Sequence, residues 1–159
     1  MASNPDSAIN ASSVSRAEQV LRAIAHLRGE DFSGVGVVFY ERLAQLPHLQ
    51  LSDNSMKTDP GQFAEVDLAE ALSRISVMSS PLHDGFHFVE AHSWRLTHLA
   101  QFISPPIPDD ATQRFQGTGA RLMAALLASL LPGIECVGLV SHSGEIHLFS
   151  RGIDAAKKD

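Results

Sequence analysis

The run Gly34-Val35-Gly36-Val37-Val38-Phe39-Tyr40 constrains this chain more than any other feature. It is apolar and β-branched without polar alternation, the pattern of a buried strand, and it has glycines at its start. Such a strand needs apolar surface to cover it, and amphipathic segments flank it. Before it, Val20, Leu21, Ile24 and Leu27 recur at helical spacing behind Ser15-Arg16-Ala17-Glu18. That tetrad reads as a capping box, in which the serine oxygen accepts from a free N–H and the glutamate reaches back. Gly29 is placed to stop the helix. After the strand comes a polar, turn-rich stretch over 49–61. Asp59-Pro60 then suits a helix start, with proline at the first helical position. Val66, Leu68, Ala69, Leu72 and Ile75 make that helix's apolar face. Ser79-Ser80-Pro81 ends it, because the residue before proline avoids the helical region.

The second half continues in the same style. The spacing predicts strands over 86–89 and 95–103 joined by a turn at 91–93, then a stiff loop at Pro105, Pro106 and Pro108. An Ala-Leu-Met helix over 118–131 is stopped by Pro132-Gly133. Strands over 134–140 and 145–149 flank a turn at His142-Ser143-Gly144. The order α, β, α, β, β, α, β, β predicts an α/β fold: a mixed central sheet flanked by helices. Residues 1–14, rich in Ser, Asn and Ala, are expected to form a flexible tail, and 155–159 a frayed end. The domain between them is expected to be single, over 15–154, since 159 residues match one domain.

Charge and cysteine narrow the function. Lys and Arg total 12 against 18 Asp and Glu, a net charge of −6. That balance argues against non-specific DNA binding, which rests on cations neutralising phosphates. Cys136 is the one cysteine, so there is neither an internal disulfide nor a cysteine zinc site, and it is expected to be an inert buried thiol. No basic-then-apolar leader and no apolar run of about 18 residues occurs. The expectation is a cytoplasmic protein with no membrane partner.

Three segments carry candidate chemistry. In Ser80-Pro81-Leu82-His83-Asp84-Gly85, an Asp-Gly before a strand can present a carboxylate beside bare backbone. That suits a metal-bound phosphate or a hydroxyl to be deprotonated, and equally a plain turn. Gln116-Gly117-Thr118-Gly119-Ala120-Arg121 opens the long helix. Free N–H groups at a helix start bind anions, glycines let a phosphate approach, and Arg121 can pair with it. It is neither a Walker loop nor a full Gly-x-Gly-x-x-Gly, so an ordinary helix start is the competing reading. His83 and His87 would share a face if both lay in a strand, which leaves zinc as a minor alternative, and His83-Asp84 leaves HD-type phosphohydrolase chemistry as another. Trp94 and the phenylalanines are too scattered for a base-stacking platform. Ser141 has no evident histidine–carboxylate partner along the sequence.

Taken together, the segments resemble the diadenylate cyclase domain family, the type found at the N-terminus of the DNA-integrity scanning protein DisA. Gly34-Val35-Gly36-Val37-Val38-Phe39-Tyr40-Glu41 is similar to that family's early glycine–aliphatic strand. Ser80-Pro81-Leu82-His83-Asp84-Gly85 is similar to its Pro-Leu-His-Asp-Gly-Ala motif. Gly117-Thr118 and Arg121 are similar to its Gly-Thr-Arg-His-Arg motif, and Val140-Ser141 with Gly144 and Ile146 to its closing strand-turn-strand. The resemblance covers most of residues 34–150. It implies a domain that joins two ATP molecules into cyclic di-AMP with release of pyrophosphate, using Mg²⁺ or Mn²⁺, with two domains face to face as in a homodimer. By the same resemblance Asp84 binds metal and activates a ribose hydroxyl, and Gly85, Gly117, Thr118, Arg121 and Ser141 hold nucleotide.

The chain departs from the family pattern at the site itself. Phe86 replaces the alanine after Asp-Gly, Gly119-Ala120 replaces the Arg-His pair, and His142-Ser143 replaces acidic residues. Phosphoryl transfer depends on positioning and charge stabilisation, and one lost donor costs about 10²–10³ in rate. The expected function is therefore a nucleotide-binding sensor or regulatory module, weak or inactive in synthesis, whose ligand is an adenine nucleotide or cyclic dinucleotide. The alternative is an active divergent cyclase in which His83, His87 or Arg114 replaces the lost donors. A third is a domain that binds a protein partner and has no nucleotide site.

Overall fold

A computed structural model describes residues 5–51, 58–111 and 118–156, with backbone alone over 5–11. Helix α1 spans Pro5–Leu27, so it begins ten residues before the expected capping box. Ser15 lies inside the helix, and Glu18 accepts from Arg22 at 3.0 Å, an i,i+4 pair, in place of reaching back to a cap. The physical reason lies in the neighbouring sequence. Pro5 is well suited to a first helical position, and nothing between it and Ser15 breaks a helix. The tail expected over 1–14 is thus helical from Pro5 onward.

The expected strand forms as β1, Val35–Tyr40, buried at every position. A short strand β2, His48–Gln50, follows in a stretch read as turn-rich. The single helix expected after Asp59-Pro60 divides in two. Asp59 caps only a 3₁₀ turn, Pro60–Phe63, by accepting from the Gly61 N–H at 2.9 Å. Asp67 then caps α2, Leu68–Ile75, by accepting from the Glu70 N–H at 3.3 Å. A second aspartate cap within the segment restarts the helix. Strands β3, Phe86–Glu90, and β4, Arg95–Ile103, match expectation. Helix α3 covers Ala120–Ala128, with 3₁₀-type bonds from Leu130 and Leu131 replacing its expected last turn. Strands β5, Ile134–Val140, β6, Ile146–Ser150, and β7, Ile153–Asp154, complete the chain.

The strands form one seven-stranded mixed sheet in the order β2-β4-β3-β1-β5-β6-β7. Only β1 and β3 run parallel; each remaining neighbour pair is antiparallel. Parallel neighbours need a long crossover, and residues 41–85 supply it, carrying β2 and α2 on the way. One face of the sheet packs on α1 and α2 through Leu21, Ile24, Val37, Phe39 and Leu72. The other packs on α3 through Val38, Phe86, Phe88, Leu126 and Leu139. Truncating a fully buried leucine such as Leu21 or Leu72 to alanine costs about 2–5 kcal/mol.

Strand β4 carries a bulge. Phe86 pairs with Gln101 and Phe88 with His98, so Leu99 and Ala100 together stand opposite His87 alone. Ala100 is left-handed, at φ 50°. Cys136 is buried, and burial, with the nearby Glu135 charge, pushes its thiol pKa up, as an inert core cysteine requires. Trp94 takes a structural place as well, its ring 5.4 Å from that of Phe39 and under the Arg16 guanidinium. Among the described residues, no helix is long and apolar enough to cross a membrane.

Candidate functional site

The topology brings four chain ends together. Parallel strands β1 and β3 begin at the same end of the sheet, where antiparallel β5 finishes. The first turn of α3 reaches that end through Arg121. A Cβ placed on Gly34, just before β1, would lie 3.1 Å from the Val140 carbonyl, 3.5 Å from the His142 N–H nitrogen and 3.6 Å from a guanidinium nitrogen of Arg121. Arg121 therefore lies over the start of β1, beside the end of β5. Helix α3 has Gly119 as its N-cap, with no side-chain cap, so its first N–H groups are not satisfied by a capping oxygen.

Asp84 stands at the same end. Its side chain is 78% exposed, and His83 Nε2 lies 3.7 Å from its carboxylate. His83 is itself held by its Nδ1, 2.7 Å from the Ser80 carbonyl. The loop is anchored by Leu82, which is buried and donates its N–H to Ser80 Oγ at 3.1 Å. Crowding by protein lowers the pKa of Arg121, although its outer edge is exposed, and the Asp84 carboxylate acts in the opposite sense. The two charges are thus electrostatic neighbours across the site, Arg121 from α3 and Asp84 from the loop before β3.

Gly85 is fixed by both conformation and contact. Its φ is +77°, and a Cβ there would lie 2.6 Å from the Gln101 carbonyl oxygen and 2.7 Å from Leu51 Cδ1. Phe86, the next residue along the chain, packs against β1. A Cβ on Gly36 would be 2.6 Å from two atoms of its ring, so the ring lies against β1 at that glycine. It joins the α3-side core at 5% exposure. The bulk of Phe86 therefore fills space above the strand rather than standing in solvent beside Asp84.

Ser141 also lies at this end, but its hydroxyl is engaged in the β5–β6 turn. It accepts from the Glu145 N–H at 3.0 Å and lies 3.0 Å from Ser143 Oγ. Thr118 is half-buried immediately before α3. Gly117, like Arg114, falls outside the described residues.

The paired-histidine idea does not form. His83 sits in the loop ahead of β3, while His87 is inside the strand and 1% exposed. Burial, reinforced by the positive charge of Arg121, pushes the His87 pKa down to about 3, so the ring is neutral. Among the described residues no cluster of three or more His, Cys, Asp or Glu side chains is placed to hold a metal. The donor set is instead one exposed carboxylate, Asp84. That fits a hard divalent cation such as Mg²⁺ or Mn²⁺, which is commonly held by one or two carboxylates together with substrate phosphates and water.

Sequence reasoning misses one polar residue close to the site, Gln101, 2% exposed inside β4, and gives no sign that His87 is buried. The available signal was a polar side chain within an otherwise apolar strand segment. A cavity of about 780 Å³ lies at the opposite end of the sheet, lined by residues including Arg16, Glu41, Trp94, Gly133 and Arg151. It shares no residue with the Asp84–Arg121 end, so the candidate site is assigned by charge and chain geometry, not by cavity size.

No protein-family model matches the chain, and no curated protein matches it in sequence. Solved structures do match in shape. The chain is similar to a double mutant of DacA from Staphylococcus aureus, at 18% identity and a TM-score of 0.51, over 89% of this chain and 83% of that one. It is also similar to a hypothetical membrane spanning protein from Bacillus cereus, at 18% identity and a TM-score of 0.52, over 94% of this chain and 62% of that one. The fold is accordingly diadenylate-cyclase-like: a seven-stranded mixed sheet with helices on both faces.

Proposed function

We propose that this domain binds an adenine nucleotide or cyclic dinucleotide where Asp84 and Arg121 meet, and that it serves as a sensor or regulatory module with little or no synthesis. The observation that carries this reading is the position of Arg121, over Gly34 and beside Val140 and His142, at the end of the sheet where Asp84 also stands and within reach of its charge. A guanidinium and the uncapped N–H groups of a helix start suit a phosphate group. Gly117 and Thr118 precede that helix and would let the phosphate approach. Asp84, with Gly85 behind it, would hold Mg²⁺ or Mn²⁺, and the ion would supply positive charge to the nucleotide's phosphates. Ser141 would line the same end, its hydroxyl already committed to the turn.

Weak synthesis follows from what is absent beside Arg121. Gly119 and Ala120 carry no side-chain donor where the family pattern has an Arg-His pair, and charge stabilisation supplies most of the catalysis in phosphoryl transfer. His87 does not replace them, because its ring is buried and neutral. A second reading, residual synthesis, is favoured by the exposed carboxylate of Asp84. In it a 3′-hydroxyl of one ATP gives its proton to the Asp84 carboxylate and attacks the α-phosphate of another, forming the O–P bond as the bond to the leaving pyrophosphate breaks. Repeating the step closes the ring, which needs two copies of the domain face to face.

Titration calorimetry with ATP and with cyclic di-AMP, each with Mn²⁺, tests the reading. Binding is expected in the intact chain and is expected to weaken at least about tenfold in Arg121→Ala, since a charge-assisted bond is worth about 1.5–3 kcal/mol. No binding at millimolar ligand would refute it. Mass spectrometry of the same mixtures separates the two readings, since a cyclic dinucleotide absent from Asp84→Asn would establish synthesis.

A further inference from the structure

Two fully buried polar side chains spend their hydrogen bonds on one feature. His87, 1% exposed, accepts the Ala100 N–H on Nδ1 at 3.1 Å. Gln101, 2% exposed, donates its amide N–H to the Leu99 carbonyl at 2.9 Å. Both target residues form the β4 bulge, and Ala100 there is left-handed. A non-glycine residue keeps that conformation only where its surroundings over-determine it. The bulge breaks the β3–β4 ladder, and His87, the one β3 residue facing it, takes up an N–H that the ladder leaves without a strand partner. The Ala100 carbonyl is used as well, accepting from the Leu51 N–H at 3.1 Å.

The bulge in turn seats the Asp84 loop. A Cβ on Gly85 would lie 2.6 Å from the Gln101 carbonyl oxygen and 3.1 Å from the Ala100 carbonyl carbon. The backbone next to Asp84 therefore rests directly on the segment that His87 and Gln101 hold. His48 extends the brace to the sheet edge, its Nδ1 3.4 Å from the Gln101 side-chain oxygen.

We propose that His87 and Gln101 are positioning residues: they hold the Leu99–Ala100 bulge in place, and through Gly85 the bulge sets where the Asp84 carboxylate stands. The ligand part of this inference rests on the proposed nucleotide site, whereas the positioning part does not. His87 must act as an acceptor on Nδ1, so the working form is the neutral ring with its proton on Nε2. Leucine at 87 would fill the core and lose the acceptor. Asparagine would restore it, because its Oδ1 occupies the position of Nδ1. Glutamine places its oxygen one atom further out and would not.

The test compares the full-length chain with H87L, H87N and H87Q by amide hydrogen exchange and by NMR shifts of Asp84 and Gly85. Calorimetry with ATP and Mn²⁺ follows. In H87L and H87Q the Ala100 amide is expected to exchange about three- to tenfold faster, the worth of one net hydrogen bond. The Asp84 and Gly85 resonances are expected to move, and ATP affinity to fall by a similar factor. H87N is expected to recover all three. If H87L does not fold, H87Q and H87N give the same contrast. Unchanged Ala100 exchange, or Asp84 and Gly85 resonances that stay in place, would overturn the proposal. If the unmodified chain binds no ATP, the nucleotide reading fails, and positioning is judged on exchange and shifts alone.

Discussion

Gly85→Ala isolates the geometry beneath the candidate carboxylate. The added methyl group meets two penalties. At φ +77° an L residue is strained, which costs about 1–2 kcal/mol. The Cβ would also lie 2.6 Å from the Gln101 carbonyl oxygen, a backbone atom that cannot swing aside, and 2.7 Å from Leu51 Cδ1. Overpacking of this kind adds about 1–3 kcal/mol. The total is about 2–5 kcal/mol, a large share of the stability of an ordinary domain. Urea unfolding reads it directly: with a slope of about 2 kcal/mol per molar, the midpoint falls by about 1–2.5 M. Gly119→Ala is the internal control. Among the described residues no atom lies within 4 Å of a Cβ at that glycine, and its φ is an ordinary negative value. Its loss removes only an N-cap preference, about 1 kcal/mol or less. A midpoint shift below about 0.3 M in Gly85→Ala, or equal shifts in the two variants, would refute the close packing of Gly85 on the bulge.

Phe86→Ala leaves a cavity over Gly36, so thermal melting is expected to show a loss of about 3–5 kcal/mol; an unchanged melting temperature would contradict the burial of that ring. Ser76 Oγ is fully buried with no hydrogen-bond partner among the described residues, so Ser76→Ala is expected to be neutral or stabilising by up to about 1 kcal/mol, and a clear destabilisation in urea would reveal a partner. Stability should also depend on His87. Its pKa is 6.5 when exposed and about 3 when folded, so the unfolded chain takes up a proton first as pH falls. The stabilisation is present in full above pH 6.5 and declines by about 1.4 kcal/mol per pH unit toward pH 3. The half-buried His48 and His98, both lowered by burial, add to the same slope. His87→Asn should flatten the curve in equilibrium unfolding, and an identical slope in the variant would exclude His87 as its source.

The sequence by itself determined the α/β class and the buried central strand, and it singled out Asp84 and Arg121, which the fold brings to one end of the sheet. Those features are local: an unbroken apolar run, a helical spacing of leucines, an Asp-Gly before a strand. Long-range packing decided the rest. The start of α1 at Pro5 was hidden because Ser15-Arg16-Ala17-Glu18 satisfies a local cap rule that the longer helix overrides. Strand β2 pairs with β4 across about fifty residues, and no local periodicity announces three residues at a sheet edge. Phe86 follows Asp84-Gly85 directly in the sequence, but the register of β3 against β1 places its ring over Gly36. The bulge at Leu99–Ala100 exists only as a mismatch between two paired strands, so neither strand encodes it alone. His87 and Gln101 became meaningful only when that mismatch left backbone groups needing partners, since a buried polar group is defined by what surrounds it.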